Sequence, residues 1–115
     1  MAYTFQSRAT ADLIMLDTPA KQILQVLDKT PGTPGIITVE QIPQALQALE
    51  EAVAQDELRR KELEQEAQAE DNEGSAHAAR TAAELGSVTL RQRVAPLAEM
   101  LRRSAQEDKP VTWTL

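Results

Sequence analysis

The chain of 115 residues contains no cysteine. Disulfides, thiolate metal sites and cysteine nucleophiles are therefore excluded, and the composition fits a reducing cytoplasm. Aromatic side chains are almost as scarce, with one Phe, one Tyr and one Trp. None of the four glycines falls in a G-x-G-x-x-G or P-loop spacing, so nucleotide binding through those motifs is excluded as well. Long apolar runs are missing. They reach only a handful of residues, as at Leu13–Leu16, too few to span a membrane. The opening MAYTFQSRAT lacks the apolar stretch of a signal peptide, which again points to the cytoplasm. The single histidine, His77, has no second histidine to help it hold a metal or act as a base, and reads as exposed and inert. Neither a metal nor a cofactor is expected.

What is present is acid, and it is local. The formal charge is −6. Residues 50–73 hold ten acids against three bases, a net of −7, so the rest of the chain sums to +1. No strongly basic face is left for a phosphate backbone, and nucleic acid is not an expected partner. Alanine supplies 18 residues, whereas Leu, Ile, Val and Phe together supply 25. One domain is the natural reading at this length.

From Glu64 to Glu84 there is no Val, Ile, Leu, Met, Phe, Trp or Tyr. Such a segment cannot offset the entropy of ordering by burying large groups, so it is expected to be mobile or a solvated helix. Gly74-Ser75 and Gly86-Ser87 are expected breaks. Two core-forming blocks, 1–63 and 85–115, build one core across this acidic, alanine-rich bridge.

Tyr3-Thr4-Phe5-Gln6-Ser7 and Val111-Thr112-Trp113-Thr114-Leu115 both alternate apolar and polar residues, the pattern of a half-buried strand. All three aromatics lie in these two segments, and cross-strand pairing between them would explain the concentration. Leu13 to Leu16 suits either a third strand or a buried turn. Thr18-Pro19 opens a helix whose face carries Ala20, Ile23, Leu24 and Leu27, ending near Lys29. Thr38 and Gln41 match a capping box, after which Ile42, Leu46, Leu49 and Val53 keep a helical stripe. A helix from 43 to 68 would be about 39 Å long and would project into solvent. The last helix begins at a second capping box, Thr89 with Gln92, and carries Leu90, Val94, Leu97 and Leu101, with Pro96 expected to kink it or break its first turn. The fold class is α+β: a small antiparallel sheet pairing the N- and C-terminal strands, covered by about three helices.

Four separated motifs are similar to a known family: YTFQSRATADLIML, then GIITVEQ from Gly35, then LRQR from Leu90 with PLAEML from Pro96, and finally PVTW from Pro110. In this order they resemble a mainly proteobacterial family, the domain of unknown function numbered 1840. As that family is usually written, a lysine follows the serine of the opening strand; Arg8 keeps the charge here. The resemblance covers both core blocks and the bridge, and it implies no activity, substrate or catalytic residue.

The residues offer little catalytic chemistry. Asp12 and Asp17 bracket a short apolar run and suit turns and caps better than acid–base work. Glu40 suits the first turn of a helix. Ser7 and Thr10 have no histidine to activate them. More is offered by the arginines of the last helix. Arg91 and Arg102 fall together on a helical wheel beside the apolar stripe, Arg93 flanks the other side and Arg103 points away, so an anion or partner contact through Arg91, Arg93 and Arg102 is one expectation. A solvated rim is the other. Tyr3 and Trp113 suit core packing, or the lining of a groove between helices and sheet. The expected function is a non-enzymatic protein-interaction module, docking a protein partner or a second copy of itself by helix or sheet edge, with the acidic arm steering a basic partner. The alternative is a binder of a small anionic ligand.

Overall fold

A computed structural model of the protein describes residues 2–68, 73–86 and 88–115. Residues 69–72 of the expected bridge, and Ser87 of an expected break, lie outside the described residues. Four strands form one antiparallel sheet: β1 (Ala2–Gln6), β2 (Leu13–Leu16), β3 (Gly35–Ile37) and β4 (Val111–Thr114), in the order β2-β1-β4-β3. Among the described residues four α-helices accompany it: α1 (Asp17–Val26), α2 (Ile42–Gln68), α3 (Glu73–Leu85) and α4 (Leu90–Gln106). The two terminal strands are neighbours at its centre, with Phe5 opposite Trp113 and their rings 5.9 Å apart. Leu13 to Leu16 is a strand, opposite β1 from Ala2↔Leu16 to Phe5↔Leu13. The fourth strand and fourth helix exceed the expected number because β3 is only three residues long and α3 has almost no large apolar side chains.

Alternation divides the sheet into two faces. Tyr3, Phe5, Met15, Ile37, Val111 and Trp113 are buried on the inner face, against Ile23 and Leu24 of α1, Ile42 and Leu49 of α2, and Leu97 and Leu101 of α4. Both large aromatics keep a polar tip in use, as buried Tyr and Trp require. The Gly32 N–H donates to the Tyr3 hydroxyl at 2.8 Å, and Trp113 Nε1 donates to the Thr33 carbonyl at 3.0 Å. The proline- and glycine-rich loop is thus pinned from below by two core residues. Gly35 explains itself here, since a Cβ on it would lie 2.3 Å from the Trp113 ring.

The helix boundaries depart from expectation in informative ways. Helix α1 starts at Asp17 rather than after a Thr18 cap, because β2 runs straight into it with Leu16 at the N-cap position; Asp17 then pairs with Lys21 one turn on at 3.2 Å. It ends at Val26, short of Lys29, because Asp28 turns left-handed (φ 58°) and the Lys29 N–H returns to the Leu24 carbonyl. Helix α4 ends the same way, with Asp108 at φ 54° and the Lys109 N–H on the Ser104 carbonyl. The Thr89 capping box is formed in both directions, and α4 continues through Pro96 as one helix. Gly74-Ser75 does not interrupt α3; Gly86, at φ 79°, does end it.

Helix α2 outruns the sheet layer, and the molecule measures 54 × 27 × 21 Å. Past Val53 it becomes one side of an arm. Helix α3 is the other side and returns towards residue 60, where Arg60 Nη1 donates to the Gly86 carbonyl at 2.7 Å. Within the arm Leu63 and Ala78 are buried, outside the main core cluster.

Candidate interaction surfaces

Because the inner face carries the core, the outer face of the sheet is left open. Thr4, Ile14 and Thr114 form one cross-strand row on it, and Gln6, Thr112 and Ile36 another. Ile14 is 70% exposed, Leu16 71% and Ile36 44%. With Leu115 just past β4, they make four of the six large apolar side chains exposed among the described residues, the others being Leu58 and Val88. Single exposed apolar residues are ordinary; here Ile14 and Leu16 stand together on edge strand β2 and Ile36 on the opposite edge strand β3, with Thr4, Gln6, Thr112 and Thr114 between them. Both edges are guarded. Pro34, which has no N–H, precedes the three-residue β3, and Asp12 and Asp17 bracket β2.

The arginines of α4 separate into two directions. Arg91 and Arg102 line one groove between α2 and α4, about 700 Å³ in volume, with Leu46, Val53 and Val94 also lining it. Arg93 lies on the α1 side, where its Nη1 donates to Gln22 Oε1 at 3.5 Å. The groove also contains Glu50 and Glu99. Arg91 Nε donates to Glu57 Oε1 at 2.5 Å, and Arg102 Nη1 lies 3.7 Å from a Glu99 carboxylate that also accepts from Arg103 Nε at 3.0 Å. The hydrogen bond from Arg91 holds the Glu57 carboxyl below its ordinary range, and the same bond raises the Arg91 guanidinium above its own.

Tyr3 and Trp113 are core residues whose polar tips hold the 30–34 loop, and neither lines this groove. His77 is exposed on α3. Among the described residues no three His, Cys, Asp or Glu side chains come together as metal ligands would.

Two clusters escaped the sequence reading. Asp56 accepts from Arg60 Nε at 2.9 Å and from the Leu90 N–H at 3.1 Å, so a side chain in the middle of α2 caps the N-terminus of α4. Arg60 also donates to the Val88 carbonyl at 3.2 Å, which ties the loop after α3 to the same point. Only the i, i+4 spacing of Asp56 and Arg60 hinted at this. The second cluster centres on Ser104, the one fully buried polar side chain among the described residues. Its Oγ donates to the Met100 carbonyl at 2.7 Å and lies 2.7 Å from Ser7 Oγ. Its position three residues after Leu101, on the apolar row of α4, was the available signal.

No curated protein and no solved structure matches the chain. One family model does, over residues 1–113 and thus over the described helices and all of the sheet but the last residue of β4, and the chain belongs to the family described as a domain of unknown function, DUF1840.

Proposed function

We propose that this chain is a non-enzymatic protein-interaction module that receives its partner on the outer face of the sheet. The observation behind this reading is the exposed apolar side chains of the two edge strands, Ile14 and Leu16 on β2 and Ile36 on β3, on a sheet face that no helix covers among the described residues. The acidic arm adds a long-range preference for a basic partner, because Glu57, Glu62 and Glu66 are exposed on α2. A cytoplasmic location belongs to the same proposal and fits the absence of cysteine.

The test is a photo-crosslinking residue placed at Ile14, with Arg59 on the arm as the control position, in the native host. A defined product at position 14 that disappears in the Leu16→Asp variant supports the reading, and a product of twice the chain mass identifies the partner as a second copy. Equal labelling at both positions, or none at 14, removes it.

A second reading, a small anion held by Arg91 and Arg102, has the shared α2–α4 groove in its favour. It has less support than the first, because Arg91 already gives its Nε–H to Glu57 and Glu50 and Glu99 stand in the same groove.

A further inference from the structure

A second hollow, about 560 Å³, lies at the other end of α4, where the turn after β1 meets the turn that leads into β4. Its basic groups are Arg8 and Lys109. Among the described residues neither has a carboxylate within ion-pair distance, although the chain carries 18 acids to 12 bases. Asp108 also lines the hollow, leaving a net charge of +1 in it. Gln6 and Thr112, opposite each other in the sheet, add an amide and a hydroxyl.

The two turns are held in register by Ser104. Its single hydroxyl proton goes to the Met100 carbonyl, so at the 2.7 Å contact Ser7 Oγ must be the donor. Ser7 Oγ in turn accepts from the Ala9 N–H at 3.1 Å, which folds the chain on either side of Arg8. The Ser104 carbonyl accepts from the Lys109 N–H at 2.8 Å. One buried residue therefore fixes the turns that carry both cations, which is how a site is held ready before its ligand arrives. The negative end of α4 is also blunted there. The carbonyls of Arg103, Ser104 and Ala105 are each taken by the N–H groups of Glu107, Lys109 and Asp108.

We propose that this hollow binds the phosphate group of a small phosphomonoester. Arg8 provides a guanidinium fork, Lys109 a point charge and Thr112 a hydroxyl, and these reach the hollow from two turns and a strand. Donors arriving from several directions suit a tetrahedral oxyanion with oxygens in more than one plane better than a flat carboxylate. The volume is within the range of small-molecule sites. The proposal does not rest on the partner-docking reading, although Gln6 and Thr112 stand on the same outer face of the sheet.

The experiment is a ¹H–¹⁵N NMR titration with inorganic phosphate, then with glycerol 3-phosphate and with acetate, chloride keeping the ionic strength constant. Saturable shifts confined to residues 6–9 and 108–112 are expected for both phosphates and not for acetate. In R8Q and K109Q the affinity should fall about tenfold or more, the loss of one charge-assisted hydrogen bond; R8K should recover part of it and R91Q should leave it unchanged. Arg8 and Lys109 lie outside the core, so these variants keep the fold, which the spectrum itself reports. Shifts that follow ionic strength alone, that survive in R8Q and K109Q, or that appear beside Arg91 and Arg102 would overturn the proposal. Acetate binding as tightly as phosphate would do the same.

Discussion

The body and the arm of this protein are built from the same helix α2 but are held together differently. Up to Val53 the helix lies over the sheet, and Ile42, Leu49 and Val53 join a continuous core with Tyr3, Phe5 and Trp113. Beyond it, the arm has one buried leucine, Leu63, and one buried alanine, Ala78, among its described residues. The arm compensates with polar ties at its base, where Asp56 and Arg60 grip the loop after α3 and the first N–H of α4. Apolar burial scales with area, so the two regions should open with different free energies, the arm well before the body.

Substitutions in each region should expose that difference, and the largest effect belongs to the body. Trp113→Ala removes a buried ring in contact with Phe5 and the tether of the 30–34 loop, and should cost about 3–5 kcal/mol, a large share of the stability of a small domain. Urea unfolding measures it, and a loss below about 1 kcal/mol, the size of an ordinary substitution, would mean that the terminal strands do not organise the core.

Leu63→Ala should cost about 2–3 kcal/mol where it acts, but it acts on the arm. Hydrogen exchange should quicken across 76–83 while the amides of β1 and β4 keep their protection. Equal loosening of the sheet would show that arm and body form one cooperative unit, and the comparison would fail. Asp56→Ala removes a helix cap and should cost about 1–2 kcal/mol, with faster exchange at Leu90 and its neighbours.

Smaller still is the double change of Ile14 and Leu16 to Thr, which should alter stability by no more than about 0.5 kcal/mol because both side chains are already mostly in water. A larger loss would mean that these residues hold the hairpin together rather than present a surface. The finest test is the pair Glu57–Arg91. Its folded-state carboxyl titrates below the ordinary 4.5, so the contribution of the pair is present above that pH and is lost as the pH falls through the lowered value. NMR titration of the Glu57 carboxyl should show its midpoint rising towards the ordinary value in R91Q, and an unmoved midpoint would dissolve the assignment.

Much of the body could be read in one dimension. The aromatic–polar alternation at both termini named the two central strands, and the Thr89-x-x-Gln92 box placed the start of α4, because side-chain period and capping are local properties of the backbone. Arg91 and Arg102 could be put on one face by counting residues, and they do share a groove. The α+β class, the paired termini and the long reach of α2 all follow from such short-range rules. Strand β3 could not be read this way, since Gly35-Ile36-Ile37 is too short to show a period and acquires its role only when Trp113 closes over Gly35.

Hydrogen-bond pairing of polar side chains across long separations belonged to the tertiary structure alone. Asp56 meets Leu90 across 34 residues, and Ser7 meets Ser104 across 97. A hydrogen bond at such distances depends on how whole elements pack, and no spacing rule encodes it. The same holds for which arginines are spent on carboxylates and which are left uncompensated: Arg91 and Arg8 look alike in the chain, yet one is paired with Glu57 and the other stands with Lys109 over an open hollow. Period, capping and composition are carried by neighbouring residues and were settled by the sequence. Partner choice among charged and polar groups is settled by proximity in space, and only the folded arrangement decided it.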